Sequence, residues 1–207
     1  MLSKKSKHDL LNNLSLQVLD CVNCELSQSR TCAVPGMGSS DSPVMFIGEA
    51  PGYHEDISGF PFVGSAGKLL TDLLNEISMS RDSVYITNIV KCRPPGNRNP
   101  YLSEIKQCES YLSRQISMID PLLIVPLGKF AMNYFIPGEL ITSVSGTIQE
   151  INDRHVYPLL HPAAALRKTE YKNRLKEDFL KIPSILDKLT SRQYLTDSNP
   201  LFCSELS

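Results

Sequence analysis

Three polar side chains and four thiols stand out in this chain by where they fall. Glu49 follows the apolar run Val44-Met45-Phe46-Ile47, Asn88 closes Val84-Tyr85-Ile86-Thr87, and His161 follows the stretch ending in Leu159-Leu160. Each sits just past the C-terminal end of a predicted strand, where open α/β sheets bind their ligands. A carboxylate can move a proton or steady a cation. A carboxamide offers donor and acceptor side by side, and an imidazole can donate to a developing anion. Each also has a plain structural use: a turn cap for Glu49, a strand-end turn for Asn88, a satisfied ring for His161. Their shared position is what points to a site. Among the thiols, Cys21 and Cys24 share one tight turn, Cys92 lies in the loop after the second run, and Cys108 lies on the helix beyond it. Two near ligands and two remote ones make a four-thiolate cage that suits zinc or an iron–sulfur cluster. The alternative is that Cys92 and Cys108 are ordinary buried small residues. Cys32 reads as a free thiol, and Cys203 falls in the C-terminal tail.

The elements that must hold these groups alternate between short apolar runs and amphipathic stretches. Leu10, Leu11, Leu14 and Leu19 with Val18 predict a helix over residues 8–20. Residues 27–43, rich in Ser, Gly and Pro, read as loop. A strand over 44–47 ends in the sharp turn GEAPG. A second glycine-bearing loop, 58–67, leads into a helix over about 68–78, whose Leu69, Leu70, Leu73, Leu74 and Ile77 share one side. The strand 84–87 gives way to the loop RPPGNRNP, and Pro100 suits the first turn of a helix reaching about Met118. Residues 122–125 form a third buried strand, and Gly128 opens a helix through Phe135. Residues 147–151 and 155–159 pair around the turn Asn152-Asp153-Arg154. A charged helix over about 169–189 kinks at Pro183. Such alternation predicts an α/β fold with a mostly parallel central sheet and helices on both faces, a three-layer α/β/α sandwich. Residues 1–190 are expected to form one domain, with 191–207 a flexible tail.

Composition narrows the function classes. The chain has 207 residues, 42% of them apolar, enough for a sizeable core. With 21 basic and 22 acidic residues the net charge is −1, which excludes a general polycation but not a local basic strip. No run approaches the roughly 18 apolar residues of a membrane span. Asn12, Asn13 and Ser15 interrupt the N-terminal leucines, so that segment does not read as a signal peptide. A cytoplasmic location is therefore expected, where cysteines serve as metal ligands or free thiols more often than as disulfides.

The ordered motifs GEAPG, GFPFVGSAGKLL, TNIVKCRPPGNRNP and LLHPAAALR, together with Cys21, Cys24, Cys92 and Cys108, resemble those of the family 4 uracil-DNA glycosylases. That family is the iron–sulfur branch of the uracil-DNA glycosylase superfamily, and the resemblance runs over residues 21–179. It implies the three-layer sandwich, a [4Fe–4S] cluster on the four cysteines, no soluble cofactor, and hydrolysis of the bond between uracil and deoxyribose in single- or double-stranded DNA by a monomer. Two departures stand out: Tyr53-His54-Glu55-Asp56 is acidic only in its last two residues, and Ser65 stands where a basic residue is common. The proline-rich CRPPGNRNP replaces the basic, histidine-bearing insert of the branch that traps the sugar covalently, so trapping is not expected.

On this resemblance Glu49 orients or deprotonates the attacking water, and His161 donates to uracil O2. Asn88 pairs with O4 and N3–H, Phe62 stacks on the flipped base, and the backbone at Ala50 and Gly52 approaches it. Glu55 or Tyr53 crowds the 5-position. Lys91, Arg93, Arg98 and Arg167 are expected to contact DNA phosphates, and the loop 163–166 is expected to wedge into the vacated stack. Two other readings remain: a glycosylase preferring another deaminated base, and a non-catalytic iron–sulfur DNA-binding accessory protein.

Overall fold

The structure, a computed structural model, describes residues 4–197. Three strands form its centre because their residues are apolar on both faces: β2 (Val44–Gly48), β3 (Tyr85–Asn88) and β4 (Leu123–Pro126) are buried along their whole length. They run parallel, with Phe46 beside Ile86 on one flank and beside Val125 on the other. A lone short strand at one edge and a hairpin at the other complete a six-stranded sheet in the order β1-β3-β2-β4-β6-β5. β1 (Met37–Gly38) lies antiparallel to β3 at one edge. β5 (Gln149–Ile151) and β6 (Arg154–Val156) form the predicted hairpin at the other, turning at Asn152 and Asp153, both with positive φ. The sheet is mostly parallel, as expected, with antiparallel edges.

Successive side chains of a strand point to opposite faces, and the two faces bury separate cores. Val44, Phe46, Ile86, Leu123 and Val125 pack on α4 (Ser65–Glu76), α9 (Thr169–Phe179) and α10 (Ile182–Asp197). There the Phe46 and Phe179 rings stack at 5.4 Å. Met45, Ile47, Tyr85 and Ile124 face α1 (Lys4–Leu19), α5 (Leu102–Ile119) and α6 (Gly128–Phe135). The three-layer α/β/α sandwich is thus observed. Short helices fill the connections: α2 (Leu26–Ser29), α3 (Tyr53–Ser58), α7 (Ile141–Val144) and α8 (Pro162–Ala165).

Several boundaries differ from the sequence expectation. β1 falls within the stretch 27–43 that was read as loop, and α3 occupies residues between the GEAPG turn and the loop 58–67 that were given no element. α5 begins at Leu102 rather than at Pro100, because Glu104 reaches back to the Tyr101 N–H at 2.7 Å and sets the helix start there. The long C-terminal helix breaks at Leu180 rather than kinking at Pro183, and Pro183 sits in the first turn of α10, where a proline costs no hydrogen bond. α10 continues past Ser191 to Asp197, so the helix extends into the stretch read as tail. Cys203 lies outside the described residues.

Candidate active site

β2, β3 and the β6 connection deliver their terminal residues to one end of the sheet, around a cavity of about 570 Å³. Glu49, Asn88 and His161 all line it, with Ala50, Gly52, Glu55, Phe62, Arg98 and Arg167. Residues separated by more than a hundred positions thus converge because parallel strands put their C-terminal ends on one edge.

The Glu49 carboxyl has no hydrogen bond or ion pair among the described residues, and partial burial alone pushes it up to about 7. An unpartnered carboxyl in such surroundings resists ionisation and, once ionised, is a strong acceptor. Asn88 is the last residue of β3 and is nearly inaccessible. Its side-chain oxygen passes so close to Gly48 that a Cβ there would meet it at 2.3 Å, and the Phe62 ring at 2.7 Å. Only glycine at position 48 lets both groups approach the end of β2. The carboxamide of Asn88 has no partner among the described residues and faces the cavity.

His161 caps α8: its Nδ1 accepts the Ala163 N–H at 3.1 Å. Burial lowers its pKa to about 4, so the ring is neutral at ordinary pH. With Nδ1 accepting, the single ring proton is assigned to Nε2, the nitrogen free to donate. The Phe62 ring lies 5.7 Å from the imidazole and nearly parallel to it, at 27°.

Glu55 lines the cavity, but its carboxylate is spent on backbone. Oε2 accepts the Gly52 N–H at 3.1 Å, and Oε1 accepts those of Val63 and Gly64 at 2.9 and 3.1 Å. It therefore ties the GEAPG turn to the loop that carries Phe62. Tyr53 is exposed and does not line the cavity.

The expected DNA-contacting cations separate into three kinds. Lys91 does not reach the surface where a DNA contact was expected: it is 1% exposed, and its ammonium donates at 2.7 Å to Thr87 Oγ1, the Asn88 carbonyl and Gln115 Oε1. All three of its protons are bound inside the protein and burial lowers its pKa to about 8, so it cannot meet a phosphate. Arg93 and Arg98 lie at the surface but are already paired. Arg93 donates to Asn97 Oδ1 at 2.7 Å and sits 3.9 Å from Asp56. Arg98 grips Glu104 through both terminal nitrogens, at 2.9 and 2.6 Å, and lies on the Tyr101 ring. Arg167 lines the cavity, is exposed, and has no ion pair among the described residues. The sequence reading missed Lys129 and Phe130, which also line the cavity from the start of α6. The signal was present: they follow β4, a strand end like the others.

On the far side of Lys91, Cys21, Cys24, Cys92 and Cys108 line one small hollow with Arg30 and Tyr111. Arg30 donates to the Cys92 sulfur at 3.0 Å, and the Lys91 backbone N–H to the Cys108 sulfur at 3.3 Å. Burial pushes the Cys92 thiol up and that of Cys108 to about 11. Thiolates here need a compensating positive charge, which a bound metal group would supply. The donor set fits such a group. Among the described residues no three His, Cys, Asp or Glu side chains close around a single-ion position. Cys32 is unpaired and lies apart from the hollow.

An α/β sandwich with a cavity at its strand ends, large enough to admit a base and lined by a carboxyl, a carboxamide and an imidazole, is a layout suited to an enzyme acting on a polar heterocycle. The comparisons narrow that class. The sequence pattern of the Uracil DNA glycosylase superfamily matches residues 35–182. The chain is 45% identical over 199 residues to a type-4 uracil-DNA glycosylase of Sulfurisphaera tokodaii, covering 91% of this chain and 90% of that one. It is 46% identical to the type-4 enzyme of Saccharolobus solfataricus, over 86% and 87% of the two chains. With that of Thermotoga maritima the identity is 41%, over 88% and 98%. The chain belongs to the type-4 uracil-DNA glycosylases.

Proposed function

We propose that this chain hydrolyses the N-glycosidic bond between uracil and deoxyribose in single- or double-stranded DNA, releasing uracil and leaving an abasic site. The observation that carries the reading is the convergence of Glu49, Asn88 and His161 on one cavity lined also by Phe62. A base inside a duplex is out of reach, so the nucleotide turns out of the stack into this cavity. Its ring lies on Phe62. The Asn88 carboxamide donates to O4 and accepts from N3–H; cytosine presents the reverse pattern and would leave both groups unmatched.

As the C1′–N1 bond breaks, positive charge grows on the sugar and negative charge on the base. Glu49 steadies the sugar cation and takes a proton from the water whose oxygen bonds to C1′. The neutral His161 donates from Nε2 to uracil O2, a hydrogen bond that strengthens as charge moves onto that oxygen, and so favours the transition state. Uracil leaves as the anion. Glu55 keeps the GEAPG turn against the base through Gly52, and its fixed carboxylate stands on the side of the 5-position. Arg167, and more weakly Arg93 and Arg98, meet phosphates. Leu166, exposed at the end of α8, fills the vacated stack.

Cys21, Cys24, Cys92 and Cys108 hold a [4Fe–4S] cluster. The resemblance to the iron–sulfur branch and the four thiols that line one hollow support this choice. Bound there, such a group would cross-link the turn after α1, the Cys92 loop and α5, and would supply no chemistry at the base. Free thiols at four ligand positions suit a reducing, cytoplasmic setting. The chain acts as a monomer, with residues 1–190 as its catalytic domain and α10 carrying that domain's last helix on to Asp197.

The test is incubation with uracil-containing oligonucleotides, single-stranded and duplex, followed by alkaline cleavage. Strand breaks at the uracil position are expected in both. Binding without any abasic sites would sink the reading and favour an accessory protein.

A further inference from the structure

The loop that presents Phe62 is held in a conformation that a large residue disfavours. Phe62 has φ +54°, in the left-handed region, yet its ring is buried and fixed against Gly48 and His161. Something must hold the backbone there. One anchor is Glu55, which takes the Val63 and Gly64 N–H groups. The other comes from outside every motif the sequence singled out. Arg81, in the turn before β3, reaches under the loop and donates to the Pro61 carbonyl at 2.5 Å and to the Phe62 carbonyl at 3.2 Å. Its guanidinium is steadied by Thr71 Oγ1 at 3.4 Å, on α4. From below, Gly67 approaches so closely that a Cβ would lie 1.7 Å from the Phe62 oxygen. Only glycine at position 67 leaves room for that carbonyl where Arg81 holds it.

We propose that Arg81 is a positioning residue for base recognition: together with Glu55 it clamps the strained backbone on both sides of Phe62 and so fixes the ring on which the extruded base stacks. Two consecutive carbonyls gripped by one planar guanidinium define an orientation as well as an attachment. A lysine could hold one carbonyl but not both in that fixed fork. Arg81 touches neither base nor sugar, so its effect reaches the substrate only through Phe62.

The proposal rests on the reading of Phe62 as the stacking platform, and the experiment separates the two. Inhibition of the full-length, cluster-loaded protein by free uracil is measured for the wild type, Phe62→Leu, Arg81→Ala and the double variant. If Phe62→Leu leaves the inhibition constant unchanged, the stacking role assigned to Phe62 fails. If it rises in Phe62→Leu, Arg81→Ala should raise it about tenfold, roughly what one lost stacking contact is worth. The double variant should then be no worse than Phe62→Leu alone, since the two changes act through one group. An Arg81→Ala variant that binds uracil like the wild type would overturn the proposal. So would losses that multiply in the double variant. Should Arg81→Ala fail to fold, Arg81→Lys is read by the same criteria, with a smaller rise expected. A merely structural role would lower Tm without this non-additive pattern.

Discussion

Glu49 offers a prediction in which activity and stability move in opposite directions. Its carboxyl is half-buried without a partner, and the loss of water around it pushes it from the usual 4.5 up to about 7. Only the ionised form can take the proton of water, so kcat/KM should fall along an acid limb with its midpoint near pH 7. Two pH units below that midpoint about 1% of the carboxyl is ionised, so the rate at pH 5 should be about a hundredfold below its plateau. With an ordinary carboxyl the rate would be nearly flat down to about pH 5.5. His161, with its pKa near 4, is neutral throughout this range and adds no second limb. Stability has the opposite sign. The folded pKa lies above the unfolded one, so the fold binds this proton more tightly. The associated stability is complete below pH 4.5 and is lost as pH rises through 7. Glu49→Gln imitates the protonated form. It should slow uracil release by about 10²–10⁴ while raising Tm at pH 8 and leaving it nearly unchanged at pH 4.5. Single-turnover assays on a uracil oligonucleotide from pH 5 to 9, and thermal melts at the two extremes, would check this. A flat rate profile, or a lower Tm for Glu49→Gln at pH 8, would refute the argument from unpartnered burial.

Other perturbations probe the remaining parts. His161→Ala should lower kcat by about 10²–10³, the usual loss for one donor to a developing oxyanion, with less effect on KM. Asn88→Asp removes the N–H donor that answers O4; the ratio of kcat/KM for uracil over cytosine should fall steeply, as followed on matched oligonucleotides. Lys91→Met orphans buried acceptors at Thr87, Asn88 and Gln115, at about 1–3 kcal/mol each, yet should leave the salt dependence of DNA binding unchanged. Arg167→Ala should do the reverse, reducing the slope of log K against log salt by about one with little change in Tm. Cys92→Ser should lose iron and sulfide in elemental analysis and lower Tm. Full cluster content in that variant would remove Cys92 from the ligand set.

Much of this was readable in the sequence where local pattern and physics coincide. The apolar runs at 44–47, 84–87 and 122–125 became the central strands because residues buried on both faces must be continuously apolar. Gly128 and Phe135 bounded their helix as read, and Glu49, Asn88 and His161 fell at strand ends. The four cysteines were picked out by spacing, and the structure places all four around one hollow. Other features leave no local trace. β1 is two residues long, too short for any periodicity, and exists only because β3 offers it an edge. α3 follows GEAPG directly, and its start depends on Glu55 reaching back to Gly52.

What the sequence determined by itself is the set of elements, their alternation, and the chemical groups that end the strands, because apolar period and turn chemistry act over a few residues. What only the tertiary structure decided is which charges are free. Lys91, Arg93 and Arg98 share one loop and look alike in sequence. One is drawn inside by acceptors from β3 and α5, two are paired by Asp56 and Glu104, and Arg167, far along the chain, is left exposed at the cavity. A charge is buried or exposed according to the partners that folding brings to it, and those partners lie at distances along the chain that no local pattern spans.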